Sequence, residues 1–136
     1  MPVSDAAVDQ LQAARVAEKE QALFYRALSS VAEEQGHTED VEALNGLLAD
    51  EQHHLSRISV RLVELGIETP DIDAAAPGCA FERWREVARV REREEIRRYE
   101  CLLAEPLDQE TAAMIREFLT VERQHEHHLA GKYTEA

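Results

Sequence analysis

Apolar side chains recur every three to four residues through several long segments of the chain, which is the spacing of one face of an α-helix. In the second segment this face carries a set of aliphatic residues: Leu44, Leu47, Leu48, Leu55, Ile58 and Leu62. Glu51 and His54 lie one helical turn apart on the same face. Burying such polar groups without a partner would cost about 1–3 kcal/mol each, so the pattern predicts that both have one.

The same arrangement recurs near the C-terminus, where Glu122 and His125 repeat the spacing of Glu51 and His54. Two further segments resemble each other at a constant offset, and their matching positions are Glu18 with Glu92, Tyr25 with Tyr99, and Leu28 with Leu102. The distance between the repeated segments is longer than a solenoid repeat, and the repeat occurs only twice. This indicates duplication of a helix pair rather than a solenoid. The sequence therefore predicts two helical hairpins, each with one Glu helix and one Glu-x-x-His helix.

Turn and cap residues predict where the helices begin and end. We expect the first helix to run from a cap at Ser4 or Asp5 to about 34, and the second to run from 38 to about 65. The third is expected at about 80–104, and the fourth after the turn at Pro106, to about 130. The proline-bracketed linker 66–79 is long enough to return along a helix of about 39 Å, which predicts an all-α four-helix bundle with a crossover connection between helices two and three.

Composition narrows the class of protein. A chain of 136 residues fits one domain, residues 1–136, and low aromatic content (5%) with five glycines favours helix over sheet. We expect a cytoplasmic protein, because no apolar run approaches membrane-spanning length and the N-terminus has no signal pattern. The net charge of −13 argues against nucleic acid and membranes as partners. Cys79 and Cys101 form no C-x-x-C pair, which excludes a rubredoxin-type iron site and a zinc knuckle built from cysteine.

The polar residues of the four seams suggest a metal centre. In an antiparallel bundle we expect these residues to meet at mid-height: Glu18, Glu51, His54, Glu92, Glu122 and His125. The carboxylates would repel one another in an apolar core, and two divalent ions would offset their charge. This ligand pattern is the one described in general for ferritin-like di-iron and di-manganese bundles. The alternative is a buried network of salt bridges.

These residues resemble the ferritin-like superfamily and, within it, the rubrerythrin branch. The resemblance covers nearly the whole chain and rests on Glu18 followed by Tyr25, on the two Glu-x-x-His motifs, and on Glu95 one turn beyond Glu92. It implies two iron ions, with manganese or zinc as alternatives, and it implies that Glu95 is an additional ligand rather than a surface glutamate. Rubrerythrins also carry a rubredoxin domain, whose iron is bound by cysteines. The two cysteines of this chain cannot form such a site, so the resemblance implies an external electron donor.

Three functions follow as hypotheses. The first is a di-iron oxidoreductase of oxidative-stress defence that reduces hydrogen peroxide, or dioxygen, and forms a homodimer. The second is a ferroxidase that passes iron to storage, which would need a larger assembly. The third is a non-catalytic bundle with a structural metal. Tyr25 and Tyr99 occupy equivalent positions, where they either bond to metal-bridging carboxylates and assist the reaction or cap the core.

Overall fold

The computed structural model describes residues 3–134 of the chain, and within them it contains four long helices and no strand. Their bounds are α1 (Asp5–Glu34), α2 (Thr38–Glu64), α3 (Trp84–Leu103) and α4 (Gln109–Thr134), with a 3₁₀ turn, Phe81–Arg83, before α3. The predicted all-α class is confirmed. The predicted domain of residues 1–136 includes Met1, Pro2, Glu135 and Ala136, which lie outside the described residues, and the single domain stays a prediction.

Local hydrogen bonds explain where several helices begin and end. Ser4 caps α1, because its Oγ accepts a hydrogen bond from the amide of Ala7 at 3.1 Å. Gly36 and Gly66 follow α1 and α2 in the left-handed backbone region, with φ of 73° and 78°. After each glycine, the next amide bonds back to a carbonyl of the helix at 2.9 Å. These are the glycine stops expected from the sequence.

Two predicted helix ends differ from the structure. The sequence predicts a third helix from about 80, but the chain passes through the 3₁₀ turn before the α-helix begins at Trp84. The fourth helix continues past Gly131 to Thr134, because Gly131 does not adopt a positive φ and no other breaker follows it. Among the described residues, no helix has the length and apolar character needed to cross a bilayer.

The chain divides into two compact units. The first hairpin unit, residues 15–84, contains most of α1, all of α2 and the linker that follows. Arg15 on α1 donates hydrogen bonds to Ser59 Oγ at 3.1 Å and to the Pro70 carbonyl at 2.8 Å. Farther along, the ring of Phe81 stacks on His37, just before α2, with ring centres 5.4 Å apart. The linker therefore leaves the end of α2 and returns to its start, which agrees with the predicted crossover.

The second hairpin unit contains the residues up to 14 and those from 85 onward, and so includes the start of α1, α3 and α4. Gln10 on α1 donates a hydrogen bond to Glu105, after α3, at 3.2 Å. Tyr99 on α3 and Phe118 on α4 are both buried, with ring centres 5.9 Å apart. Aromatic packing thus holds α3 against α4 within this unit.

Candidate metal sites

The first hairpin unit brings together Glu18 from α1 with Glu51 and His54 from α2, which we call the first trio. The two glutamates have no exposed surface and His54 is 2% exposed. The Nδ1 atom of His54 lies 3.2 Å from Glu18 Oε2 and 3.6 Å from Glu51 Oε1. The carboxylates therefore converge on one imidazole nitrogen, as the helical phase of the sequence predicted.

The second hairpin unit builds the same arrangement from Glu92 on α3 and from Glu122 and His125 on α4, which we call the second trio. These glutamates also have no exposed surface, and His125 is 7% exposed. The Nδ1 atom of His125 lies 3.4 Å from Glu92 Oε1 and 3.2 Å from Glu122 Oε1. The internal duplication read from the sequence thus appears as two ligand groups of similar geometry.

Both trios are suited to a divalent metal ion. In each, one ligand atom from every residue lies within 4.8 Å of the others. Two atoms bound to one metal at about 2.1 Å each, about 90–120° apart, are separated by about 3.0–3.6 Å, and the nitrogen-to-oxygen distances of both trios fall in this range. Two carboxylates and a neutral imidazole carry a charge of −2, which an M²⁺ ion offsets. A protonated histidine would offset only half of it.

Glu95 is buried on the same face of α3 as Glu92. Its Oε1 atom accepts a hydrogen bond of 2.7 Å from Nη1 of Arg98, one turn later, and the Arg98 side chain is 32% exposed. The residues whose ligand atoms cluster within 4.8 Å include Glu92 but not Glu95. The role of Glu95 as an additional metal ligand stays a prediction, and its partner Arg98 was missed in the sequence, although opposite charges at i and i+3 are a signal for such a pair.

The position equivalent to Glu95 in the first hairpin unit is Gln21, at the same offset that relates Glu92 to Glu18. Gln21 is fully buried one turn after Glu18, as Glu95 is after Glu92. The residue equivalent to Arg98 is Phe24, which is also buried. The offset already visible in the sequence could have revealed this difference: a neutral amide beside one trio and a carboxylate with an arginine beside the other.

Tyr25 and Tyr99 are both fully buried at their equivalent positions on α1 and α3. The ring of Tyr25 lies 5.3 Å from that of Phe24, and the ring of Tyr99 packs on Phe118 as described above. These ring contacts are typical of core residues. Contact between either hydroxyl and a metal-binding carboxylate stays a prediction. Cys101, which lies on α3, is exposed.

A group of ion-paired residues lies next to the second trio along α4. Glu126, next to His125, accepts hydrogen bonds from Arg89 at 2.9 Å and from Arg93 at 3.2 Å. The hydrogen bond from Arg89 is the main reason that the pKa of Glu126 lies below its ordinary value of 4.5, and partial burial opposes that shift. These ion pairs tie α3 to α4 one residue away from a candidate ligand.

Comparison with known proteins supports the fold. No protein-family model matches the sequence, and no match was found among curated proteins. The structure is similar to that of bacterioferritin BfrA from Mycobacterium tuberculosis, with a TM-score of 0.86 and 18% sequence identity, over 98% of this chain and 87% of the other. At this identity the similarity concerns the fold. The predicted architecture is thereby confirmed: the chain has the ferritin-like four-helix bundle fold.

Proposed function

We propose that the chain is a di-iron oxidoreductase in which each trio holds one iron ion and the two ions form one dinuclear centre. The observation that carries the proposal is the near-identical construction of the two trios, each with two buried carboxylates and the Nδ1 atom of a buried histidine. Burying two carboxylates beside a histidine, twice and with the same spacing, is a poor way to stabilise a fold, whereas carboxylates and imidazole are ligand types that bind divalent metals.

In this proposal the protein supplies ligands, orientation and a water-poor environment. Glu18, Glu51 and His54 bind one ion, and the second trio binds the other, in positions set by rigid helices. Fe(II) bound there supplies electrons in pairs for reduction of an O–O bond. Tyr25 and Tyr99 are fully buried on the helices that carry Glu18 and Glu92, and they are the residues proposed to assist the reaction.

Hydrogen peroxide is the proposed oxidant, with dioxygen as the slower one, because the sequence resembles rubrerythrins at the residues quoted above. An external electron donor is proposed for repeated turnover, because reduction of one peroxide consumes two electrons that must be returned to the iron. A homodimer is the proposed assembly. Manganese or zinc would fit the same ligands, so the choice of iron rests on the resemblance.

The test is the metal content of protein purified without added metal, followed by anaerobic Fe(II) loading and rapid mixing with peroxide or with air. We expect two irons per chain and faster oxidation by peroxide. Glu51→Ala should lose metal, and Glu64→Ala serves as the matched control, because Glu64 is an exposed glutamate of the same helix. Fewer than one metal per chain, unchanged by Glu51→Ala, would overturn the proposal.

Iron handling is a second candidate, favoured by the fold similarity to a bacterioferritin. In this case the same two trios would hold Fe(II) as a substrate while dioxygen takes its electrons, and would release Fe(III) for storage or to a partner. Two results would favour it over the first proposal: faster oxidation by air than by peroxide, and an assembly of many subunits in place of a dimer. Light scattering with size-exclusion chromatography measures the second.

A further inference from the structure

The first hairpin unit has a surface groove between α1, α2 and the linker that follows α2. Its volume is about 330 Å³, and it is lined by two basic residues, one acidic residue, one hydroxyl and two apolar side chains: Arg15, Lys19, Asp71, Ser59, Leu55 and Ile72. The hydrogen bond from Arg15 to the Pro70 carbonyl holds the linker here, and the next two linker residues line the groove. The groove therefore belongs wholly to one hairpin unit.

In the second hairpin unit, the equivalents of the two basic residues bind a carboxylate. By the constant offset between α1 and α3, Arg15 corresponds to Arg89 and Lys19 corresponds to Arg93. Both of these arginines donate hydrogen bonds to Oε1 of Glu126, at 2.9 and 3.2 Å. Hydrogen bonds between ions are stronger than those between neutral groups. This pair of positions therefore binds a carboxylate where the chain supplies one.

The first hairpin unit does not supply this carboxylate, because Leu55 stands at the position equivalent to Glu126. Arg15 bonds instead to two neutral oxygens, the Ser59 hydroxyl at 3.1 Å and a linker carbonyl at 2.8 Å. These bonds use two of the five N–H groups of a guanidinium, so three remain. Within residues 3–134, neither Arg15 nor Lys19 forms an ion pair.

The groove is positively charged in an acidic chain. Its ionisable residues are Arg15, Lys19 and Asp71, which leave a net charge of +1, whereas the whole chain carries −13. Leu55 and Ile72 add apolar surface to the lining. Sites for small molecules have volumes of about 300–1,000 Å³, and this groove lies at the lower end of that range. These features suit a small molecule with one carboxylate and a short apolar part.

We propose that the groove binds the carboxylate of a small organic acid, in the place that the Glu126 side chain takes in the second hairpin unit. The carboxylate pairs with Lys19 and with the remaining N–H groups of Arg15, and the apolar part packs against Leu55 and Ile72. This inference concerns a site outside the two trios and does not depend on metal binding.

The site lies beside the first trio along both helices. Lys19 directly follows Glu18, and Leu55 directly follows His54. Glu126 has the same relation to His125 in the second trio. A bound organic acid would therefore complete, at the first trio, the ion-paired surroundings that the second trio has from its own chain.

The experiment is titration of the full chain with butyrate, followed by two-dimensional amide NMR after exchange of any bound iron for diamagnetic Zn(II). We expect saturable shifts at the amides of Lys19, Leu55 and Ser59. Butyramide has nearly the same shape without the charge, and should produce no saturable shifts at these residues. Ionic strength is held constant, because salt screens charge pairs that are open to solvent.

Removal of one positive charge from the groove should weaken binding. We expect Lys19→Gln to raise the Kd for butyrate about threefold to tenfold, because one charged partner is lost at a half-exposed site. Arg26→Gln is the matched control. It removes the same charge from an exposed residue of the same helix that does not line the groove, and should leave the Kd unchanged.

A second pair of variants tests whether the groove takes the place of Glu126. Leu55→Glu supplies the missing carboxylate from the chain itself, so it should abolish butyrate binding. Leu55→Gln introduces a side chain of the same size without the charge, and should retain binding. Circular dichroism verifies that each variant is folded.

Three results would overturn the inference: no saturable shifts at the groove in the wild type, equal shifts with butyrate and butyramide, or a Kd unchanged by Lys19→Gln. Equal loss of binding in Leu55→Glu and Leu55→Gln would also overturn it, because the effect would then be one of size and not of charge. The comparison of butyrate with butyramide needs no variant, so it remains decisive if a variant does not fold. Metal content is measured separately and bears only on the proposed function.

Discussion

In the first trio the imidazole nitrogen lies 3.2 and 3.6 Å from two carboxylates, and in the second it lies 3.4 and 3.2 Å from two carboxylates. The residues around these groups have changed much more. Gln21 and Phe24 stand beside the first trio where Glu95 and Arg98 stand beside the second. The two copies have kept the same ligand residues while their neighbours differ in charge, which is the pattern expected when the ligands have a shared task.

Two arginines at equivalent positions of the two hairpin units, Arg15 and Arg89, show the same contrast. Arg89 binds Glu126 on the neighbouring helix, whereas Arg15, its equivalent in the first hairpin unit, binds Ser59 and the linker carbonyl of Pro70. The position equivalent to Glu126 is Leu55. An arginine that joins two helices in one unit therefore also holds the crossover in the other. The comparison separates residues that serve the candidate metal sites from residues adapted to the connection of each hairpin.

Removal of one glutamate from each trio should have the largest effect. We expect both Glu51→Ala and Glu122→Ala to lose the two metal ions together, because a dinuclear centre that shares carboxylates fails when either trio is incomplete. Elemental analysis by mass spectrometry measures the loss. If each variant keeps one ion, the trios are separate mononuclear sites and the proposed dinuclear centre is wrong.

Metal removal should have the next largest effect. An ion present at 100 times its Kd stabilises the folded state by about 2.7 kcal/mol, which corresponds to a gain of about 10 °C in Tm for a chain of this size. We expect this gain in the wild type and its absence in Glu51→Ala and Glu122→Ala. Scanning calorimetry with and without Co(II) provides the measurement. If the Tm of the wild type is the same with and without Co(II), metal binding at either trio is contradicted.

Gln21→Glu makes the first trio resemble the second without supplying an arginine. We expect it to lower the free energy of unfolding of the metal-free protein by about 2–4 kcal/mol at pH 7, because a carboxylate is then buried beside Glu18. Glu95→Gln should cost less than about 1 kcal/mol, since Arg98 is partly exposed and can be solvated.

Urea denaturation of both variants measures this difference. The loss caused by Gln21→Glu should shrink at lower pH, because a protonated carboxyl is neutral and easier to bury. Equal losses in the two variants would show that Arg98 contributes nothing to the tolerance of a buried carboxylate, and that the two surroundings are energetically alike.

Glu126→Gln should have the smallest effect. The folded-state pKa of Glu126 lies below 4.5, so the ionised form stabilises the protein above that pH, and this contribution is lost as the pH falls through the folded-state value. We expect a decrease of less than about 1 kcal/mol at pH 7, because both arginines are partly exposed. Wild type and variant should converge in acid; a difference that grows there would contradict this account.

Much of the architecture could be predicted because periodicity is a local signal. The end of α1 and the extent of α2 follow from apolar spacing and from Gly36 and Gly66, which the structure shows in the left-handed region. Gly131 also predicted a helix end, and this prediction was wrong, because a glycine without a positive φ can remain within a helix at modest cost. Residue type alone does not show which conformation a glycine takes.

The candidate sites were predictable to a similar degree. Helical phase placed Glu18, Glu51 and His54 on inward faces, and the structure confirms their burial and convergence. The spacing of Glu95 and Arg98 is a signal for an ion pair, but helical phase did not decide whether Glu95 joins it, because its side chain can turn toward Glu92 or toward Arg98, one turn away on either side. Side-chain rotation, rather than helix position, decides between them.

Each trio is formed by residues of two consecutive helices, so its contacts depend on the folding of one hairpin. Glu18 and His54 lie on consecutive helices joined by a short turn, and so do Glu92 and His125. Contacts of such short sequence separation form early, since closing a short loop costs little chain entropy. Each hairpin can therefore bring its own ligands together when its two helices pair, and the residues of the first trio are synthesised before α3 and α4.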